Sequence, residues 1–278
     1  ARMPNELNDF RFLSSLTLII CTKISSSNHN TSFVVLFLPS RIMSKSGSRV
    51  IVLVVTNDLE GDQRIHKMAV SLQKINFDPI LVGRLLPDSK PLSRPYRVKR
   101  IKMAFLRGPL FYASFNIRIF FLLLSMRAGL FVANDLDTLP GVWLVARLRK
   151  IPLIYDCHEY FTGLPELENR NNIKRIWKSI ERRIQPGLKN VLTVNESIAD
   201  IFREEYQQKI TVIKNLPVSG IKGDLPGNLP EGFTDKDIII YQGAVNVGRG
   251  LEEMVMAMNY LPDCNLLVVG GGDRFESL

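Results

Sequence analysis

The segment Ile-Pro-Leu-Ile-Tyr-Asp-Cys-His-Glu-Tyr, residues 151–160, places titratable groups directly after an apolar run. Residues 153–155 have the composition of a buried strand, and Asp156, His158 and Glu159 follow within four positions. Open α/β sheets bind ligands at the carboxyl ends of their parallel strands. The segment therefore predicts a site for hydrogen bonding or proton transfer, with a sheet edge and a polar loop as the structural alternative.

A glycine-rich loop, residues 243–250, lies between a predicted strand and a predicted helix. Glycine permits close approach of backbone to a ligand, and a helix N-terminus attracts anions. Arg249 adds a permanent positive charge with bidentate geometry. The spacing is similar to that of a P-loop, but Arg249 and Gly250 stand where a P-loop has Lys and Ser or Thr. We predict a diphosphate site, with an ordinary strand-to-helix turn as the alternative, at Gly243, Gly248, Arg249 and Gly250.

A second glycine-containing loop precedes the first predicted helix of the chain. Gly61 and Asp62 lie in this loop, and Arg64 lies in the first helical turn. Arg64 could bind an anion or pair with a carboxylate, and the sequence favours neither.

Two further groups of residues are interpreted as structural. Asn134, Asp135 and Asp137 follow a predicted strand, but Leu136 and Thr138 complete no oxygen-rich cage for a metal ion. Helix capping and the rim of a cleft explain these residues better. Cys157 is not expected to form a catalytic pair with His158, because neighbours on an extended chain point to opposite faces.

Alternating strands and helices must position these groups. Apolar β-branched runs predict strands, and apolar residues at helical spacing predict helices. Asp62 and Asn195 are predicted N-caps. The predicted strands are 49–55, 79–83, 96–101, 129–133, 153–155, 191–194, 209–213, 238–242 and 265–269. The predicted helices begin after Asp62 and cover 112–127, 138–149, 172–189 with a break at Pro186, 196–206 and 251–261.

This alternation predicts an α/β fold with a doubly wound parallel sheet, followed by the start of a second domain. Composition divides the chain into a leader, 1–42, that is non-native or disordered, a first domain, 43–218, a linker, 219–236, and a truncated second domain, 237–278. Truncation is predicted because the one and a half βαβ units after the linker cannot make a full domain.

The chain of 278 residues is 46% hydrophobic and carries a formal charge of +9. Residues 1–42 contain four basic and two acidic residues, so the remainder carries +7. This charge favours anionic partners, namely phosphorylated molecules, an acidic membrane face or nucleic acid. Scattered basic residues without a stacking platform disfavour nucleic acid. Three cysteines, Cys21, Cys157 and Cys264, show no pairing pattern, which favours the cytoplasm.

The predicted helix 112–127 is apolar with basic flanks. Its core, residues 119–126, is shorter than a membrane span requires. We expect a helix buried in the domain, and the basic flanks leave contact with an anionic membrane open.

Taken together, these motifs resemble those of family 4 glycosyltransferases of GT-B fold, from about Arg49 to Asp273. The resemblance is most specific in four segments, namely 62–66 (DQRIH), 155–161 (YDCHEYF), 193–197 (TVNES) and 241–250 (YQGAVNVGRG). It is closest to bacterial members that build cell-surface polysaccharides.

The resemblance implies two facing Rossmann-like domains, with the acceptor bound mainly by the first and the nucleotide-diphosphate sugar mainly by the second. It implies transfer with retention of configuration, without an obligatory metal or another cofactor. The acceptor is expected to be a saccharide or lipid-linked. His158 and Glu159 are then the catalytic candidates, and the acceptor-side residues are Gly61, Asp62, Arg64, Asp156 and Asn195. Asp156 and Glu159 are expected to orient His158 or to cap the following loop.

Two features depart from the family pattern. Ala244 or Val245 stands where an Arg is common in the phosphate loop, and the acidic E-x7-E segment would lie beyond Leu278. A sugar-nucleotide epimerase of the same fold and an inactive truncated binding remnant therefore stay open as alternatives.

Overall fold

The computed structural model describes the backbone of residues 18–24 and 32–38, and residues 48–164, 167–168, 170–216 and 236–278 in full. The strands are β1 Leu18–Ile24, β2 Ser32–Leu38, β3 Val50–Val54, β4 Asp78–Leu85, β5 Arg97–Lys102, β6 Leu130–Asn134, β7 Leu153–Cys157, β8 Val191–Thr193, β9 Ile210–Val212, β10 Asp237–Gln242 and β11 Cys264–Val269. The helices are α1 Gln63–Lys74, α2 Gly108–Ser125, α3 Leu139–Arg149, α4 Asn171–Ile184, α5 Glu196–Tyr206 and α6 Leu251–Ala257.

A seven-stranded sheet forms the centre of the first unit. Its strand order is β5-β4-β3-β6-β7-β8-β9, and every neighbouring pair is parallel. Strands β3 and β6 are buried along almost their whole length, because helices cover both faces of a doubly wound sheet. The predicted doubly wound parallel sheet is confirmed.

Two helix starts follow from local capping chemistry. The Asp62 carboxylate accepts a hydrogen bond from the backbone N–H of Ile65 at 3.0 Å, and the Asn195 side chain accepts one from Ile198 at 2.8 Å. Each bond satisfies one of the N–H groups that a helix leaves unpaired at its start. Both predicted caps are confirmed.

The second predicted helix, 112–127, is longer than expected. It begins at Gly108, four residues before the predicted start, because Pro109 lies in its first turn, where proline is well tolerated. Among the described residues, α2 is the one helix long and apolar enough to cross a membrane by length and composition alone. Its expected burial holds for one face only, formed by Phe111, Phe115, Ile119 and Leu123.

Helices α2 and α3 cross in close contact at Gly141. A β-carbon on Gly141 would lie 2.6 Å from the backbone oxygen of Asn116. The Asn116 side chain donates to the Asp137 carbonyl and accepts from the Gly141 N–H, each at 2.8 Å. This bridge fixes α2 against the loop between β6 and α3.

The chain divides into two compact units, Ala1–Phe161 with Ile176–Ser219, and Thr162–Arg175 with Gly220–Leu278. In the second unit, β10 and β11 form a two-stranded parallel sheet, and α6 follows β10. The predicted linker, 219–236, lies outside the described residues except at Lys236.

Strands β1 and β2 pair in antiparallel fashion in a separate two-stranded sheet. They fall within the predicted leader, 1–42, most of which lies outside the described residues. The interpretation of this segment as a leader stays a prediction.

Candidate active site

Three adjacent strands of the seven-stranded sheet end at the candidate site. Strands β4 and β5 lie on one side of β3, and β6 to β9 lie on the other. The strand order therefore reverses between β3 and β6, and ligands bind at such switch points in α/β sheets. Thr56 follows β3, Asp135 follows β6, and Asp156 and His158 lie at the end of β7.

Both ring nitrogens of His158 have partners. Nε2 lies 2.9 Å from Oδ2 of Asp135, and Nδ1 lies 2.5 Å from Nη1 of Arg64. A guanidinium can only donate hydrogen bonds, so Nδ1 accepts and the imidazole proton lies on Nε2. The Asp135 carboxylate also accepts a hydrogen bond from the backbone N–H of His158 at 3.3 Å. The structure thus fixes the position and the tautomer of the imidazole.

Arg64 joins His158 to a buried carboxylate. Its Nη2 contacts Oδ1 of Asp156, whose side chain is fully buried, while Nη1 contacts His158. The sequence left open whether Arg64 binds an anion or pairs with a carboxylate. In the structure, Arg64 pairs with the carboxylate of Asp156. Asp156 therefore positions His158 through Arg64, and its charge also favours the protonated imidazole.

Opposing effects set the pKa values of Asp156 and His158, the two groups that contact Arg64. Burial raises the pKa of Asp156, and the charge and hydrogen bond of Arg64 oppose that rise. Burial would lower the pKa of His158, but the hydrogen bond and the charge of Asp135 outweigh it, and the pKa is raised. His158 keeps 29% of its side chain exposed, so a substrate can reach it.

A second carboxylate lies beside Asp135. Asp137 accepts a hydrogen bond from the Thr56 hydroxyl at 2.6 Å, while its Oδ1 has no partner among the described residues. Burial, followed by the negative charge of Asp135, raises the pKa of Asp137 to about 7. Asp137 therefore exchanges its proton near neutral pH.

The capping interpretation of Asn134, Asp135 and Asp137 is wrong. Thr138 is the N-cap of α3 and makes no capping bond through its side chain. The Asn134 amide donates to the Val54 carbonyl at 3.0 Å, Asp135 binds His158, and Asp137 binds Thr56. Asp135 has a φ of 63°, a left-handed conformation that Asn and Asp tolerate better than most residues.

The structure brings only some of the predicted residues to His158. Glu159 is exposed, and within the described ranges its side chain makes no hydrogen bond or ion pair. Gly61 is exposed, whereas Asp62 and Asn195 cap helices. The Cys157 thiol is buried, and its sulphur lies 3.0 Å from the Glu159 carbonyl oxygen. Within the described ranges no group of three or more His, Cys, Asp or Glu residues could hold a metal ion.

In the second unit, two glycine-rich loops pack against each other. Gly248 and Gly250 adopt φ values of 80° and 70°, and Arg249 between them is exposed. A β-carbon on Gly272 would lie 2.3 Å from both the Val245 carbonyl oxygen and the Asn246 side-chain oxygen. Both loops lie at the carboxyl ends of β10 and β11, where the sequence predicts the diphosphate site.

The model of the family described as Glycosyltransferase Family 4 matches residues 61–216, which is more than half of the chain. The match includes Arg64, Asp135, Asp156 and His158. The chain belongs to this family. The family predicted from the sequence motifs is thereby confirmed. Among curated proteins, no match was found.

Solved structures of low sequence identity share the fold. Sucrose-phosphate synthase from Thermosynechococcus elongatus is 18% identical, with a TM-score of 0.61 over 81% of this chain and 63% of that one. Anabaena HepE, solved with UDP and glucose, is 13% identical, with a TM-score of 0.55 over 82% of this chain and 62% of that one. Os79 from O. sativa, solved with UDP and deoxynivalenol-3-glucoside, is 15% identical, with a TM-score of 0.51 over 79% of this chain and 66% of that one.

These likenesses identify the fold as GT-B. The chain spans less than two thirds of the length of each of these three proteins. The His158 site lies in the unit that contains the seven-stranded sheet.

Proposed function

We propose that this family 4 chain provides the acceptor side and the donor phosphate loop of a retaining glycosyltransferase. The donor is a nucleotide-diphosphate hexose, and the acceptor is a saccharide or a lipid-linked molecule in cell-surface polysaccharide synthesis. The observation that carries the proposal is the family match over the segment that holds the His158 site. Sugar nucleotides are favoured as donors because HepE and Os79 were solved with UDP.

His158 is proposed to contact the acceptor hydroxyl or the transferred sugar. When the bond between the anomeric carbon and the phosphate oxygen breaks, the acceptor oxygen takes the phosphate's place on the carbon and loses its proton. The basic lone pair of His158 is on Nδ1, where it accepts from Arg64, so a proton taken by the imidazole enters there and displaces the Arg64 contact. The Asp135 carboxylate would stabilise the resulting imidazolium.

The glycine-rich loop is proposed to hold the diphosphate of the donor. Charge develops on the departing diphosphate, and fixed N–H groups and cations stabilise such charge best. Gly243, Gly248, Arg249 and Gly250 are the proposed groups. Reaction without an obligatory metal, and a place in the cytoplasm at the inner face of the membrane, belong to the same proposal.

Product analysis tests this function. The protein is incubated with UDP and GDP sugars and saccharide acceptors, and proton NMR identifies the anomeric configuration of the product. We expect the configuration of the donor to be retained, and His158→Ala to lower turnover by roughly a hundredfold or more. His66→Gln, which changes a histidine that hydrogen-bonds Tyr96 instead, serves as the control. An inverted product, or equal turnover by the His158 variant, would contradict the proposal.

A further inference from the structure

Helix α2 presents a second apolar face, opposite the one packed in the core. Leu110, Ile117 and Phe121 recur at helical spacing and are 61%, 57% and 64% exposed. Helix α3, which packs against α2, exposes Leu144 and Leu148 one turn apart. Exposed apolar surface of this extent on neighbouring helices indicates a binding surface rather than scattered exposure.

The charge in the sequence around this surface is one-sided, and only Lys90 and Arg97 of its basic residues form ion pairs among the described residues, with Glu60 and Asp78. Residues 89–134, which include all of α2, contain no acidic residue. They contain nine basic residues, namely Lys90, Arg94, Arg97, Lys99, Arg100, Lys102, Arg107, Arg118 and Arg127. Helix α3 adds Arg147 and Arg149 without a single acidic residue. No acidic side chain in residues 89–134 would therefore repel an anionic partner of this surface.

The N-terminus of α2 adds to this positive field. Arg107 is the N-cap, its side chain makes no capping bond, and the first turn contains no acidic residue. A cation at this end opposes the helix dipole and disfavours the helix alone. The arrangement becomes favourable when an anion lies at the same end of the stripe.

We propose that this α2–α3 surface docks on an anionic lipid bilayer. Apolar side chains of α2 would enter the headgroup region, while the flanking arginines would contact lipid phosphates. The helix lies along the membrane rather than across it, because its other face, with Phe111, Phe115 and Ile119, packs in the domain core. Docking rests on the proposed function, whose place at the inner face of the membrane it assigns to a particular surface, and it is measured without sugar transfer.

The surface is physically connected to the His158 site. Asn116 of α2 donates a hydrogen bond to the carbonyl of Asp137, in the loop that also holds Asp135. An acceptor carried by a membrane lipid would therefore meet the site close to the docking helix.

Co-sedimentation with vesicles tests the docking without any turnover. The chain is mixed with vesicles of equal parts phosphatidylglycerol and phosphatidylcholine, or of phosphatidylcholine alone. We expect binding to the anionic vesicles, loss of binding at high salt, and little binding to the neutral ones. Equal binding to both kinds of vesicle would overturn the proposal.

Matched variants locate the surface. Phe121→Ser should weaken vesicle binding by about tenfold or more. Ile176→Ser, which removes an apolar side chain that is 60% exposed on α4, should leave it unchanged. The double variant R107Q/R127Q should weaken binding by roughly thirtyfold. R183Q/K189Q, with the same loss of charge on exposed residues elsewhere, should not.

Analytical ultracentrifugation without lipid tests whether a second copy of the chain occupies this surface instead. A monomer whose sedimentation is unchanged by Phe121→Ser supports docking on lipid. A dimer that Phe121→Ser dissociates would show that a second copy covers the surface and would overturn the proposal.

Discussion

His158 Nε2 lies 2.9 Å from Asp135 Oδ2, so the ends of two neighbouring strands each supply one member of a hydrogen-bonded couple. The pairing depends on the parallel register of β6 and β7, in which Asn134 lies opposite Asp156. Asp135 lies one position beyond Asn134, and His158 lies two positions beyond Asp156. Sheet topology, rather than sequence proximity, creates the couple.

Replacing Asp135 by Asn should lower the pKa of His158. The carboxylate contributes a hydrogen bond and a charge that favour the imidazolium, and Asn removes the charge. Titration of His158 by nitrogen-15 NMR measures the shift directly. If His158 accepts a proton in the reaction, the acidic limb of the kcat/KM profile should move to lower pH and the maximal rate should fall by about a hundredfold. An unchanged pKa would show that Asp135 does not act on the imidazole.

Replacing Arg64 by Met should destabilise the protein by about 3–5 kcal/mol, because it leaves the buried Asp156 carboxylate without its partner. Urea denaturation gives the free energy of unfolding. The control is Arg97→Met, which removes an exposed pair with Asp78 and should cost about 1 kcal/mol or less. Adding Asp156→Asn to Arg64→Met should recover part of the loss. If it recovers nothing, the charge of Asp156 is not the cause.

Asp137 should make stability depend on pH. Its pKa is about 7 when folded and 3.8 in its ordinary state, so the folded protein binds the extra proton between these values. The free energy of unfolding should therefore fall as pH rises through this window, by about 1.4 kcal/mol per pH unit from this group. Asp137→Asn should remove this slope and stabilise the protein above pH 7 relative to the native chain.

Urea denaturation across this pH range provides the comparison. Asp88→Asn, at an exposed loop position, should leave the slope unchanged. Equal slopes for the native chain and Asp137→Asn would show that Asp137 is ionised in the folded protein throughout.

Gly141→Ala should force α2 and α3 apart, since its β-carbon would lie 2.6 Å from the Asn116 oxygen. We expect a loss of about 1–3 kcal/mol in the free energy of unfolding. Gly187→Ala, where a β-carbon would meet no atom within 4 Å, provides the control. Equal stability of the two variants would contradict the close crossing.

Local features could be predicted from the sequence because they depend on neighbouring residues. The caps Asp62 and Asn195 each bind an N–H three residues ahead, and the buried strands have continuous apolar runs. Asp135 was misassigned because its partner His158 is 23 positions away and becomes a neighbour only through the order of the strands. Arg64 likewise reaches Asp156 across 92 positions. The exposed stripe of α2 was missed because an apolar sequence does not show which face the core covers.

Isothermal titration of UDP and GDP into the chain, and into an Arg249→Ala variant, tests the proposed donor site most directly. We predict saturable binding of one nucleotide that Arg249→Ala weakens by about tenfold or more. Lys236→Ala removes an equal charge at the opposite end of β10, where Lys236 donates to the Pro262 carbonyl, and should have no effect. Nucleotide binding that Arg249→Ala and Lys236→Ala leave equally unchanged would contradict the assignment of the phosphate loop. Binding of neither nucleotide by the native chain would contradict the proposed donor class.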